Sequence, residues 1–235
     1  MSANRPKRIN NPAPGQRSLP ERAWYRLVQQ VVLHLMASTG GLRATGRDNI
    51  PASGGVLLIA NHLSHLDVFV LGLLLRRRLN YVARSSLFKP VLGPLIRSVG
   101  GFPIQRDGSG AQGFRETLRR LRSGEIVTFF PEGTRSHDGS LQTLKPGIAA
   151  LASRAGVPIV PTGLAGTFEA WPRSRRVPRP RAIRVHYGQP IPPERLAGLD
   201  SEQVLAELTE ALRTSVARAQ ADLRRDLRAR RGLPN

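Results

Sequence analysis

The stretch Asn61-His62-Leu63-Ser64-His65-Leu66-Asp67 holds the side chains best suited to acid–base work, an imidazole and a carboxylate five positions apart. On a continuous helix that spacing would turn the two about 140° apart. The neighbouring residues suggest another geometry. Val56-Leu57-Leu58-Ile59 reads as a buried strand, and residues 68–75 as a buried helix. Ser64 followed three residues later by Asp67 is a capping-box pattern, which predicts a helix starting with Ser64 as N-cap. His62 then lies in the preceding turn and can fold back towards Asp67. A carboxylate bonded to one ring nitrogen fixes the tautomer and leaves the other nitrogen as a general base. A simpler account also fits: Asp67 as a first-turn acid suiting the helix dipole, and His62 as a turn residue. No metal is expected at His62, His65 and Asp67, because the metallo-hydrolase pattern H-x-H-x-D-H is not met and the chain has no cysteine.

Two further segments carry groups suited to anions. Gly101-Phe102-Pro103-Ile104-Gln105-Arg106 reads as a short strand ending in a cation. Arginine presents a planar fork that donates two parallel hydrogen bonds to a phosphate and stays charged. Residues 125–130 form the clearest core strand, running into Pro131-Glu132-Gly133-Thr134-Arg135-Ser136. Groups at the carboxyl end of a strand stand where open α/β sheets usually take their ligands. Gly133 would let the backbone approach a ligand closely. Arg135 adds a second cation, and Glu132 either accepts hydrogen bonds from a polyol or locks the loop. Val157-Pro158-Ile159-Val160-Pro161 is a further buried strand without assigned chemistry.

In this order, Asn61-His62-x4-Asp67 and the three segments just named resemble the four sequence blocks of the glycerolipid (lysophospholipid) acyltransferase family. The resemblance runs from about residue 45 to 195. It implies transfer of a fatty acyl group from a thioester to the free hydroxyl of a lysophospholipid, 1-acyl-glycerol-3-phosphate first among them, giving phosphatidate. Another lyso-lipid acceptor is the alternative within the class. On this reading His62 deprotonates the hydroxyl, Asp67 orients the imidazole, and Arg106 holds the acceptor phosphate. Glu132, Gly133, Thr134 and Arg135 bind substrate, and Lys145 resembles a further basic position of the family. No cofactor is implied beyond the co-substrate, acyl-CoA or an acyl carrier protein thioester, between which the motifs do not choose. No enzyme nucleophile is required, in keeping with the missing cysteine and the absence of a G-x-S-x-G elbow. Pro103 is a departure, standing where family members commonly carry an apolar β-branched residue.

The elements that must position these groups follow from composition and periodicity. Among 235 residues, 36 Lys and Arg against 16 Asp and Glu leave a net charge of +20. That balance implies an anionic partner: nucleic acid, a phosphate-bearing substrate or an anionic membrane. Nucleic acid is not expected, since aromatics make up only 5%, the basic residues are scattered and no nucleic-acid motif is present. No apolar run reaches the ~18–20 residues of a spanning helix. The expected location is therefore peripheral or monotopic, on the cytoplasmic face of the cell membrane.

The expected fold is α/β, a single domain with a mixed central sheet flanked by helices, an N-terminal amphipathic helix and a long C-terminal helix. Residues 1–20 read as a disordered basic arm. Residues 21–44 read as an amphipathic helix closed by Gly40-Gly41, its stripe including Trp24 and Leu27, suited either to a membrane interface or to packing on its own domain. Residues 45–235 form the acyltransferase domain, including the basic C-terminal helix. A helix over 113–123 is expected to turn Phe114, Leu118 and Leu121 inward and Arg115, Arg119, Arg120 and Arg122 outward. Residues 171–181, with Trp171 and five arginines among prolines, read as a loop facing anionic lipid. Asp200 or Ser201 caps the last helix, with Val204, Leu208, Leu212 and Val216 on one side.

Overall fold

A computed structural model of the chain describes residues 19–20, 23–24, 26–27, 30, 41–84, 88, 90, 93, 96–97, 100–104 and 111–232. The expected arm over residues 1–20, apart from Leu19 and Pro20, lies outside the described residues, as does Arg106.

The strands are β1 (Leu42–Thr45), β2 (Val56–Ala60), β3 (Leu79–Arg84), β4 (Gly101–Ile104), β5 (Ile126–Phe129), β6 (Ile159–Ala165) and β7 (Ile183–Tyr187). They form one sheet in the order β1-β7-β6-β2-β5-β3-β4. β6, β2, β5, β3 and β4 run parallel, while β7 pairs with β6 antiparallel and β1 runs with β7. The expected mixed sheet is therefore present. The described helices are α1 (Asp67–Leu73), α2 (Ala111–Arg122), α3 (Gly147–Ala155), the single turns α4 (Thr167–Ala170) and α5 (Pro193–Leu196), and α6 (Ser201–Arg230).

Strand β2 shows why the sequence folds this way. All five of its residues are buried, as expected of a strand covered on both faces. Leu57 and Ile59 join Val127, Leu118, Leu121, Leu151, Leu208 and Leu212 on the side of α2, α3 and α6. Val56, Leu58 and Ala60 join Ile126, Val160, Val70, Leu71 and Tyr187 on the side of α1. Alternate residues of one strand thus feed two cores. α6 lies directly on β6: a Cβ on Gly163 would stand 2.0 Å from the Ser215 carbonyl oxygen. Asp200 caps α6 in a full capping box, its Oδ1 accepting from Glu202 N and Gln203 N while Gln203 accepts from Asp200 N. Farther along, Arg184 pairs with Asp226, and Thr45 Oγ1 donates to Asp222 Oδ2 at 3.1 Å. These contacts fasten the helix to β7 and β1.

Four expectations need correction. The segment read as helix to residue 44 is already strand from Leu42, paired in register with Ile183 to His186. The first helix begins at Asp67, with Leu66 rather than Ser64 as N-cap, and ends at Leu73 rather than 75. Half of the capping box survives in that turn: Asp67 Oδ2 accepts from Ser64 N at 2.8 Å, but Ser64 Oγ accepts from Leu66 N instead of Asp67 N. The second helix runs 111–122. On it Arg120 points inward, 3% exposed, donating to Glu116, Glu125 and Asn80 and lying over the Phe102 ring. Its charge is tolerated there because two partly buried carboxylates, Glu116 and Glu125, pair with it. Pro103 sits in β4, an edge strand, where a residue without an N–H is tolerated.

Candidate active site

The carboxyl ends of β2 and its neighbours β5 and β6 bring the sequence blocks together. Just past β2, Asn61 extends the pairing with its side chain: Nδ2 donates to Leu164 O at 3.1 Å, and Oδ1 accepts from Leu164 N at 2.8 Å. The chain then turns at His62. His62 Nδ1 lies 2.8 Å from Asp67 Oδ2. That oxygen also accepts from Leu63 N at 2.7 Å and from Ser64 N, and Asp67 is fully buried. Three donors converge on one oxygen, an arrangement a carboxylate satisfies. A carboxylate only accepts, so Nδ1 carries a proton and Nε2 is the nitrogen that holds the lone pair in the neutral ring. The ring is 20% exposed and stacks on Phe130, centroids 4.1 Å apart and planes at 20°.

The loop after β5 holds the backbone of the same residue. His62 N donates to Glu132 Oε1 at 2.6 Å, and Ser136 N donates to His62 O at 2.7 Å. Glu132 Oε2 accepts from Gln142 N at 2.9 Å. Both oxygens of Glu132 are thus engaged by main-chain donors, and the residue is 1% exposed. Burial pushes its carboxyl up to about 7, against the opposing pull of the Gln142 and His62 N–H groups and with a smaller push from Asp67. Gly133 adopts φ +71°, a left-handed conformation that favours glycine. A side chain there would meet Lys145 Cγ at 3.6 Å, so Lys145 lies along this loop, as does its N–H, donating to Pro131 O. Gly133, Thr134 and Lys145 are exposed and Arg135 is half-buried.

His65 stands at the rim, its ring edge-on to Trp171 with centroids 5.7 Å apart. Desolvation lowers its affinity for a proton, and the charges of Arg135, His62 and Arg173 lower it further against the pull of Asp67. The structure therefore gathers His62, Asp67, Glu132, Gly133, Thr134, Arg135 and Lys145 around one strand end. The roles of Asn61 and Phe130 were not read from the sequence. Phe130 is the residue next to β5 and so faces the turn after β2; the register of two strands, unknown from sequence, was the missing signal. Among the described residues no group of three His, Asp or Glu side chains converges as a metal ion would need. A cavity of about 760 Å³ lies elsewhere, lined by Thr45, His186, Arg218 and Asp222 where β1 and β7 end, and includes none of these residues.

The family model described as Acyltransferase matches residues 41–165, more than half of the chain, and the protein belongs to that family. Particular relatives are consistent with this. The chain is 27% identical over 190 residues to the 1-acyl-sn-glycerol-3-phosphate acyltransferase of Bacillus subtilis (strain 168), covering 80% of this chain and 92% of that one. It is 34% identical over 131 residues to a chloroplastic 1-acyl-sn-glycerol-3-phosphate acyltransferase of Arabidopsis thaliana, covering 54% of this chain but 36% of the plant protein. The crystal structure of the 1-acyl-sn-glycerophosphate acyltransferase PlsC from Thermotoga maritima superposes with a TM-score of 0.73 at 24% identity, covering 88% of this chain and 85% of that one. That likeness extends the shared fold over nearly the whole chain.

Proposed function

We propose that the protein transfers a fatty acyl group from a thioester to the free hydroxyl of 1-acyl-glycerol-3-phosphate, giving phosphatidate. The observation that carries the reading is the His62 Nδ1 to Asp67 Oδ2 bond of 2.8 Å, with Asp67 fully buried and already bonded by Leu63 and Ser64. The names of the bacterial and plant relatives support the acceptor.

Nε2 of His62 takes the proton of the acceptor hydroxyl as its oxygen attacks the thioester carbonyl carbon. Asp67 holds the ring in place and stabilises the imidazolium. The tetrahedral intermediate collapses, the C–S bond breaks, and the leaving thiolate takes the proton from the imidazolium. No covalent enzyme intermediate forms. Arg135, Lys145 and Arg106 supply cations for the phosphate. Glu132, with both oxygens bonded to main chain, acts by holding the turn at His62 rather than by contacting a polyol.

No helix among the described residues is long and apolar enough to cross a membrane. Trp24 and Leu27 are 49% and 56% exposed, which favours a location on the surface of a membrane over packing against the domain at these positions. The test is acyl transfer by the purified protein on anionic vesicles, with acyl-CoA and acyl carrier protein donors and a panel of lyso-acceptors. Turnover with 1-acyl-glycerol-3-phosphate that disappears in His62→Ala is expected. Turnover confined to another acceptor would overturn the substrate, and an active His62→Ala would overturn the mechanism.

A further inference from the structure

On the acyl-transfer reading His62 is charged only in passing. Nε2 takes the proton of the acceptor hydroxyl and gives it to the leaving thiolate, so the imidazolium exists between those two transfers. The charged and titratable groups about the turn are Asp67 on α1, Glu132 on the loop after β5 and His65 in the turn itself, with Arg135 and Arg173 acting on His65. Asp67 meets the edge of the ring at Nδ1, and Glu132 meets the main-chain N–H. One flat face of the imidazole lies on Phe130, centroids 4.1 Å apart and planes at 20°.

Phe130 is placed by the sheet and not by His62. Ile59 on β2 stands in register with Phe129 on β5, so Ala60 and Phe130 follow at the same level. Phe129 packs on the side of α2, α3 and α6, and Phe130 on the side of α1, where Asp67 also stands. Gly133 N donates to Phe130 O at 3.0 Å, closing the turn after β5. The aromatic face is therefore already in position before the ring of His62 gains a proton.

Such a contact does not treat the two states of the imidazole alike. An aromatic ring is negative on its faces and positive at its edge. Two neutral rings laid nearly parallel hold together by burial and dispersion. A positive ring in the same place is attracted as well, since 4.1 Å is well inside the roughly 6 Å over which an aromatic face acts on a cation. An interaction stronger in the charged state than in the ground state raises the rate and not merely the affinity. An aromatic face does this without adding an acceptor that would compete for the proton of Nε2.

We propose that Phe130 is a positioning residue whose ring face stabilises the imidazolium formed at His62 during proton transfer. This rests on the acyl-transfer reading for the step in which the charge appears, but not for the preference of the contact for a charged ring.

The test places phenylalanines carrying one, two, three and five ring fluorines at position 130, which withdraw the negative face step by step at nearly constant shape. Phe130→Leu, which removes the face, is made beside them. Fluorine changes none of the titratable groups named above. By nitrogen NMR of the full chain, the pH at which the His62 ring takes up its second proton should fall with fluorine number, by roughly half a unit to one unit across the series. The single-turnover rate of acyl transfer, measured above that pH, should fall roughly three- to tenfold over the same series, with both KM values within about twofold. Phe130→Leu should match the five-fluorine ring in both readouts, and the fluorinated series decides even where Phe130→Leu fails to fold. If neither readout follows fluorine number, the proposal is overturned and the ring acts by packing alone. Proton uptake that moves while the rate does not overturns it as well, because the charge then plays no part in the slow step. No turnover in wild type with any donor and acceptor, with proton uptake still following fluorine number, sinks the acyl-transfer reading alone and keeps the preference of the contact for a charged ring.

Discussion

The main-chain N–H of His62 donates to Glu132 Oε1 at 2.6 Å, joining the turn after β2 to the loop after β5 through a carboxyl that is 1% exposed. The sequence blocks that hold these residues lie 70 positions apart and meet because β2 and β5 are adjacent and parallel. His62 is therefore fixed at four points: its N–H by Glu132, its carbonyl by Ser136, its Nδ1 by Asp67 and its ring face by Phe130. Such a residue loses little entropy when a substrate arrives.

The raised Glu132 carboxyl makes stability depend on pH. Its value in the fold is about 7, against 4.5 for an unperturbed carboxyl. Between those values the folded protein binds the proton and the unfolded chain releases it, so stability falls as pH rises through the window and levels off above it. The full effect is roughly 3 kcal/mol. Urea unfolding of wild type and Glu132→Gln from pH 4.5 to 8 isolates it. The stability difference between the two should shrink by this order as pH rises. A difference that stays constant would mean that Glu132 is ionised in the fold across the whole range.

His62 and Asp67 should separate catalysis from stability. His62→Ala leaves the main-chain bonds to Glu132 and Ser136 intact, so unfolding free energy should change by about 1 kcal/mol while kcat falls on the order of a thousandfold. Asp67→Ala strips the acceptor from the buried N–H groups of Leu63 and Ser64 and should cost several kcal/mol in addition to activity. Chemical denaturation beside single-turnover acyl transfer distinguishes the two. Equal destabilisation in both variants would place the structural role on the imidazole.

Asn61→Ala should reveal the clamp between β2 and β6. The substitution unpairs the N–H and C=O of Leu164, both buried, and should cost roughly 2–4 kcal/mol. Asn61→Asp keeps an acceptor for Leu164 N but sets a carboxylate against Leu164 O, so it should be at least as harmful at neutral pH. A tolerated Asn61→Asp would show that the clamp does not hold the turn.

What was legible in the sequence was what is local. A buried strand announces itself by its own apolar run, and α6 by its capping box and stripe, so both were placed. The partners of charged residues are not local. Arg120 reads as outward because its helical neighbour Glu116, four residues before it, pairs with it equally well on a solvent face, whereas Asn80 and Glu125 come to it from β3 and the turn before β5. β1 is four residues with alternating burial, too short to signal a strand, and exists because β7 supplies its partners some 140 residues away. Ser64 carries a capping signature, but its hydroxyl is used twice in the turn, towards Leu66 and Trp171, and the helix starts later. Arg173 reads like its neighbours as surface charge, because only the fold shows which arginine of that loop meets residues 134–137.

The packing of α6 on β6 offers a test of how far the site depends on the sheet beneath it. Leu208 is fully buried in the core between α6 and the sheet, and Leu208→Ala should cost about 2–5 kcal/mol by leaving a cavity. Nothing in that change moves a strand, so kcat per folded molecule should stay within about twofold. Gly163→Ala is different in kind. Its methyl would stand 2.0 Å from Ser215 O and 2.5 Å from Val216 N, atoms of helix backbone that no rotamer change can clear. Either α6 or β6 must shift, and the next residue on β6 is Leu164, the partner of Asn61 at the turn into His62. Gly163→Ala should therefore lower activity per folded molecule as well as melting temperature. If its loss of activity, normalised to folded protein, matches that of Leu208→Ala, the strain is taken up by the helix and the His62 turn is mechanically independent of it.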